Sequence, residues 1–145
     1  MEHILNNLDE TKEFATQFIS ALTRNNATAT VVGLSGDLGS GKTAFVKIAA
    51  QVLGVTEEVL SPTFVLAKFY PLSGKEWDEL IHIDAYRIED ENELHVLRFE
   101  EMLNNPKKLL FIEWPEQLGK HYPLFASTLR FMFIDEHTRS VTTQI

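Results

Sequence analysis

Eight residues, Gly36-Asp37-Leu38-Gly39-Ser40-Gly41-Lys42-Thr43, constrain this chain more than any other feature. They fit the spacing G-x-x-x-x-G-K-[ST] and follow Thr30-Val31-Val32-Gly33-Leu34-Ser35, a short apolar run that reads as a buried strand. Directly after the loop the period changes. Phe45, Ile48, Ala49, Val52 and Leu53 recur at helical spacing and Gly54 follows as a stop, which predicts a helix over 42–53. Strand, glycine loop and helix in that order let successive backbone N–H groups converge on phosphate oxygens at the positive end of the helix. Lys42 then reaches the outer phosphates and Thr43 offers its hydroxyl to Mg2+. A lysine in the first turn opposes the helix macrodipole, so its place there makes sense when a bound anion reverses the local field. A glycine-rich turn feeding an ordinary helix is the bland alternative, and the strand before the loop argues against it.

The rest of the chain supplies the layers around that unit. Phe14, Ala15, Phe18, Ile19 and Leu22 predict a first amphipathic helix, capped by Asp9 and closed at Asn25-Asn26. Thr63 to Tyr70 and Glu79 to Asp84 read as a hairpin around a Pro71–Gly74 turn, with Ile81 and Ile83 on one face and His82 and Asp84 on the other. Asp90-Glu91-Asn92-Glu93 looks like a capped helix start running to Leu103, ahead of Pro106. Leu109 to Ile112 is a buried strand ending at Glu113-Trp114-Pro115; Thr128 to Ile134 and Ser140 to Ile145 are strands joined by a polar turn. Together these predict one domain over 1–145: a three-layer α/β P-loop NTPase-like fold, its mixed parallel and antiparallel sheet flanked by helices.

Composition removes several classes. Lys+Arg number 13 against 21 Asp+Glu, a net charge of −8, which disfavours direct DNA or RNA binding. There is no cysteine, hence no disulfide, thiolate metal site or cysteine nucleophile. No apolar run approaches the roughly 20 residues of a membrane span, and MEHILNNLDE carries no basic, cleavable leader, so a soluble cytoplasmic protein is expected.

Two acidic residues stand at strand ends, Asp84 and Glu113. That edge is where open α/β sheets hold ligands, and carboxylates there bind Mg2+ or orient an attacking water. His82-x-Asp84 as a transition-metal pair lacks a further ligand at a diagnostic spacing. Glu89, Asp90, Glu91 and Glu93 read as a solvated helix start before a docking surface. Trp114 suits either the core or an aromatic wall, and Ser61-Pro62-Thr63 either a strand entry or a switch sensing a terminal phosphate.

Four blocks now stand in register: the glycine loop, Ser61-Pro62-Thr63-Phe64, His82-Ile83-Asp84-Ala85-Tyr86-Arg87, and Ile112-Glu113-Trp114-Pro115. In this the chain resembles the TsaE family of small bacterial P-loop ATPases. The resemblance implies ATP hydrolysis in support of threonylcarbamoyladenosine synthesis on tRNA, beside a TsaD–TsaB pair that holds the tRNA. It implies phosphates on Gly39, Ser40, Gly41, Lys42, Thr43 and the adjoining Ala44, and Mg2+ on Thr43 and Glu113 with Asp84 as the essential acid. It also implies Thr11 near the base, Ser61 and Thr63 in a switch-like segment, and Trp114 close to the nucleotide. The chain departs from the family pattern at Val65 and Lys68, where a Thr and a Glu or Asn are usual, and at Leu97-Arg98, where Leu-Gly is usual.

Two other readings compete. A small-molecule kinase needs an Arg-rich lid, and Arg24, Arg87, Arg98, Arg130 and Arg139 are scattered along the chain. A nucleotide-gated binding module would need ATP affinity without significant turnover. A GTPase is disfavoured by the lack of an N-K-x-D base-reading motif.

Overall fold

The computed structural model describes residues 1–57 and 66–144. Its elements are β1 (Glu2–Leu5), α1 (Leu8–Ala21), β2 (Thr30–Ser35), α2 (Lys42–Val52), β3 (Ala67–Pro71) and β4 (Glu79–Asp84), then α3 (Glu91–Leu97), α4 (Phe99–Leu103), β5 (Lys108–Glu113), β6 (Ser127–Phe133) and β7 (Arg139–Gln144). Short 3-10 turns at Ala85–Arg87 and Pro115–His121 follow β4 and β5.

The strands form one sheet in the order β1-β7-β6-β2-β5-β4-β3. β2 pairs in parallel with both β5 and β6, and β4 in parallel with β5. The remaining pairs are antiparallel, including the β3–β4 hairpin, which confirms the expected mixed sheet. Pro71, lacking an N–H, is tolerated because β3 is an edge strand.

Each face of the sheet has its own core. α1 and α2 lay Phe14, Ala15, Phe45, Val46 and Ala49 against Leu34, Phe111, Leu129 and Phe131. Phe45 is the centre of this layer, its ring 5.4 Å from that of Phe131 and 6.3 Å from that of Phe111. On the other face Leu94, Phe99, Leu103 and Leu118 cover Val31, Ile81, Ile83, Leu110 and Ile112. The alternation in β4 follows the sequence pattern: Leu80 belongs to the α1/α2 core, Ile81 and Ile83 to the α3/α4 core. Trp77 is buried near the start of β2, where its indole N–H donates to Thr30 Oγ1 at 3.0 Å.

Several boundaries differ from the sequence expectation. β1 was not anticipated; it forms because it pairs with β7, at the other end of the chain. The cap of α1 is Asn7, whose side chain accepts from the Glu10 N–H, and not Asp9. The helix predicted through Leu103 is broken at Arg98, which lies at φ 60°, ψ 46° and turns the chain between α3 and α4. That left-handed geometry favours glycine, and an arginine holds it here. The first residues of the hairpin strand expected from Thr63 lie outside the described residues, as does Ile145.

At Gly33 the chain after β5 leaves no room for a side chain on β2. A Cβ there would stand 2.1 Å from the Tyr122 hydroxyl, which is itself held by Thr128 Oγ1 at 2.8 Å. Gly33→Ala is expected to destabilise the fold by about 1–3 kcal/mol through overpacking. Adding Tyr122→Phe, which removes the nearest atom, should recover part of the loss; a double-mutant cycle of denaturation free energies that proves additive would contradict this account.

Candidate functional site

The site grows from the carboxyl edge of the parallel strands. β2 ends at Ser35 and the glycine loop carries the chain into α2. Gly36, Gly39 and Gly41 have φ of 137°, 78° and 107°, all in the region open to glycine. Gly41 caps α2 with no side-chain hydrogen bond, and no acidic residue occupies the first turn. The first N–H groups of α2 therefore remain available to an anion. Ser40 Oγ, buried in the loop, has no hydrogen-bond partner among the described residues.

Lys42 does not extend into solvent. Its ammonium folds under the loop onto the Gly36 and Asp37 carbonyls and stands 4.3 Å from the centre of the Trp114 ring. Burial holds it below the ordinary lysine range, opposed by the charges of Glu113, Glu116, Asp37 and Asp84.

The two acidic strand ends meet beside this lysine. Asp84 and Glu113 are register partners in the parallel β4–β5 pair. Thr43 Oγ1 lies 3.0 and 3.2 Å from the two Glu113 carboxylate oxygens, and His82 Nε2 lies 2.6 Å from Glu113 Oε2. His82 is fully buried, and its Nδ1 has no hydrogen-bond partner among the described residues. It reaches Glu113 inside the protein, so the polar pair expected with Asp84 is divided between interior and cleft. The role of His82 in holding Glu113 was not foreseen, because the sequence could be weighed only for a second metal ligand.

Asp84 accepts the Tyr86 N–H at 3.0 Å, an Asx-type cap that turns the chain after β4. Burial pushes its carboxyl above the ordinary aspartate range, against that hydrogen bond, and the Glu113 charge adds to the rise. Trp114 adopts φ 59°, ψ 53°, a strained conformation for a bulky residue, and lies 5.0 Å from the Tyr86 ring. It forms part of the cleft wall. Such outliers gather where surrounding contacts over-determine them, here the Trp114 N–H bond to the Leu34 carbonyl.

Two clefts meet at the loop. One, of about 590 Å3, is lined by the loop from Leu38 to Ala44 and by Asp84, Glu113 and Trp114. The other, of about 680 Å3, holds Thr11 and the chain around Asn7. Gly41, Ala44 and Arg139 line both. Thr11 donates its hydroxyl to the Asn7 carbonyl in the first turn of α1. Of the expected site residues, Gly39, Ser40, Gly41, Lys42, Thr43, Ala44, Asp84, Glu113 and Trp114 thus come together, with Thr11 in the adjoining cleft. Ser61 and Thr63 lie outside the described residues. Among the arginines that looked scattered, Arg87 and Arg139 both reach the first cleft, a convergence that spacing along the chain does not reveal. The residues suit a nucleotide with a divalent ion: free helix N–H groups, an unpartnered buried hydroxyl and hard oxygen donors at Thr43 and Glu113.

A glycine loop opening a helix at the carboxyl edge of parallel strands, with acidic strand ends beside it, defines a P-loop-type α/β protein. Residues 5–142 match the family described as Threonylcarbamoyl adenosine biosynthesis protein TsaE, and the chain belongs to that family. It is 38% identical over 134 residues to the tRNA threonylcarbamoyladenosine biosynthesis protein TsaE of Rickettsia typhi, covering 90% of this chain and 86% of the relative. The corresponding protein of Rickettsia bellii is 35% identical, with 97% and 94% covered. That of Synechocystis is 33% identical, with 81% and 72% covered. In fold the chain is similar to the crystal structure of YdiB from Bacillus subtilis, with a TM-score of 0.70, 24% identity, and 99% of this chain and 83% of that one covered. Among the described residues no helix is long and apolar enough to cross a membrane.

A carboxyl whose folded pKa is raised binds more protons folded than unfolded, so stability falls as pH rises from the ordinary aspartate range through the raised value. Asp84→Asn keeps an oxygen to accept the Tyr86 N–H and removes the charge. The variant should melt above the wild type at neutral pH, the difference closing as pH falls to about 4. Thermal melts across that range check this, and an equal or lower melting temperature at neutral pH would count against the burial account.

Proposed function

We propose that this chain is an Mg2+-dependent ATPase that assists a TsaD–TsaB pair in threonylcarbamoyl modification of tRNA, touching tRNA only through the complex. It acts in the cytoplasm as a single domain. The observation that carries the reading is the contact of Thr43 with Glu113 at the mouth of the glycine loop, with Lys42 folded under that loop.

In this reading the backbone N–H groups from Gly39 to Ala44 hold the phosphates, and the base side of ATP occupies the cleft of Thr11. Lys42 carries its charge to the outer phosphates, exchanging loop carbonyls for phosphate oxygens, which better satisfy a partly desolvated ammonium. Thr43 and Glu113, with Asp84 beside them, are the oxygen donors for the divalent ion, and His82 fixes the Glu113 carboxylate. Mg2+ bound there would neutralise charge on the outer phosphate oxygens. Asp84 either joins those ligands or orients the attacking water. Trp114 and Tyr86 screen the Lys42 side of the cleft. The net charge of −8 fits a subunit that leaves tRNA binding to its partners.

Lys42→Ala is expected to abolish measurable ATP binding. Glu113→Ala should lower turnover by about a hundredfold while changing ATP affinity only a few-fold, because it removes a transition-state contact more than a ground-state one. Phosphate release measured with Mg2+, alone and then with TsaD, TsaB and tRNA, with GTP as control, tests the reading. Strong stimulation by the partners supports it; bound ATP whose phosphate passes to an added small molecule would make the chain a kinase.

A further inference from the structure

Arg139, the first residue of β7, sits where the two clefts join. Its aliphatic stem packs on the cap of the phosphate loop: a Cβ on Gly41 would lie 3.6–3.7 Å from Arg139 Cγ, Cδ and Nε. The guanidinium is held in place. Nη1 donates to the Asp135 carbonyl at 2.5 Å and to the Thr138 carbonyl at 3.1 Å, and the group lies 4.7 Å from the centre of the Phe133 ring. Among the described residues no carboxylate forms an ion pair with it. A half-buried cation oriented by neutral groups and lacking a counter-ion, at the edge of a phosphate loop, is matched to an anion.

The groove gives that anion a position. In the ATP-binding reading, Lys42, Thr43 and Glu113, which line the first cleft, take the outer phosphates, and Thr11, which lines the second, lies at the base end. Gly41, Ala44 and Arg139 lie between, where a nucleotide carries its ribose and first phosphate. We propose that Arg139 binds the ribose-proximal phosphate of the nucleotide from β7, closing the phosphate loop from the side of the sheet. The inference rests on the ATP-binding reading above and adds a residue from the C-terminal hairpin to it. The fork geometry of guanidinium leaves Nε and Nη2 for phosphate oxygens while Nη1 stays on the two carbonyls.

Calorimetric titration of Mg-ATP and Mg-ADP into wild type, Arg139→Ala, Arg139→Gln and Arg139→Lys tests it. The first two substitutions should weaken both nucleotides by the same factor, about ten- to a hundredfold, and Arg139→Lys should keep part of the affinity. Because Arg139 also ties down the 135–138 turn, melting temperatures are measured for each variant; should Arg139→Ala fail to fold, Arg139→Gln against Arg139→Lys carries the comparison. Wild-type affinity in the folded Ala or Gln variants overturns the proposal, and so does a loss confined to ATP, which would move the contact to the outermost phosphate. A wild-type chain that binds neither nucleotide defeats the ATP-binding reading first and this inference with it.

Discussion

Gly36 lies against the backbone of β6 so closely that a Cβ would stand 2.4 Å from the Phe131 carbonyl oxygen. The chain can leave β2 and turn over the sheet edge only because nothing projects there, and its φ of 137° suits glycine. Everything that follows depends on this exit. It sets where α2 begins, and so brings Thr43 to Glu113 and buries Lys42 beneath the loop. Phe45, just past that start, then seats α2 on the sheet among Phe111 and Phe131, so loop geometry and core packing fix one another.

The polar groups at this edge are arranged at some expense to stability. A lysine ammonium, a buried carboxylate and a fully buried imidazole are all removed from water within one small region. Burying such groups is unfavourable unless each finds partners, and here most do. Lys42 takes loop carbonyls and Glu113 takes a hydroxyl and an imidazole, while Ser40 Oγ and His82 Nδ1 find none among the described residues. An unmet hydroxyl inside the glycine loop, Ser40 Oγ, marks a place where the fold has kept capacity for something other than itself. The two apolar layers, built from Phe, Leu, Ile and Val on both sheet faces, supply the stability that tolerates it.

What the sequence revealed was governed by how local each signal is. β2, the glycine loop and α2 were legible because strand pattern, glycine spacing and helical period adjoin one another within 30–53. Asp84 and Glu113 were legible as strand ends, and the parallel register then made them neighbours. β1 was not: Glu2–Leu5 offers only four residues, and what holds them extended is β7, reached after the whole intervening chain. The break at Arg98 was hidden by an arginine in a position whose backbone favours glycine. Arg139 read as one of several dispersed cations because its place beside Gly41 depends on sheet order, which periodicity does not encode.

The left-handed backbone at Trp114 has an optical consequence. The chain carries two tryptophans, and they report on opposite ends of β2. Trp77 is sealed in the core against Thr30, whereas the Trp114 indole lies under the Lys42 ammonium on the wall of the cleft. A cation near an indole ring perturbs its emission, so any shift of Lys42 would alter the fluorescence of one ring and leave the other constant. The protein thus contains its own signal and its own reference, with no label attached.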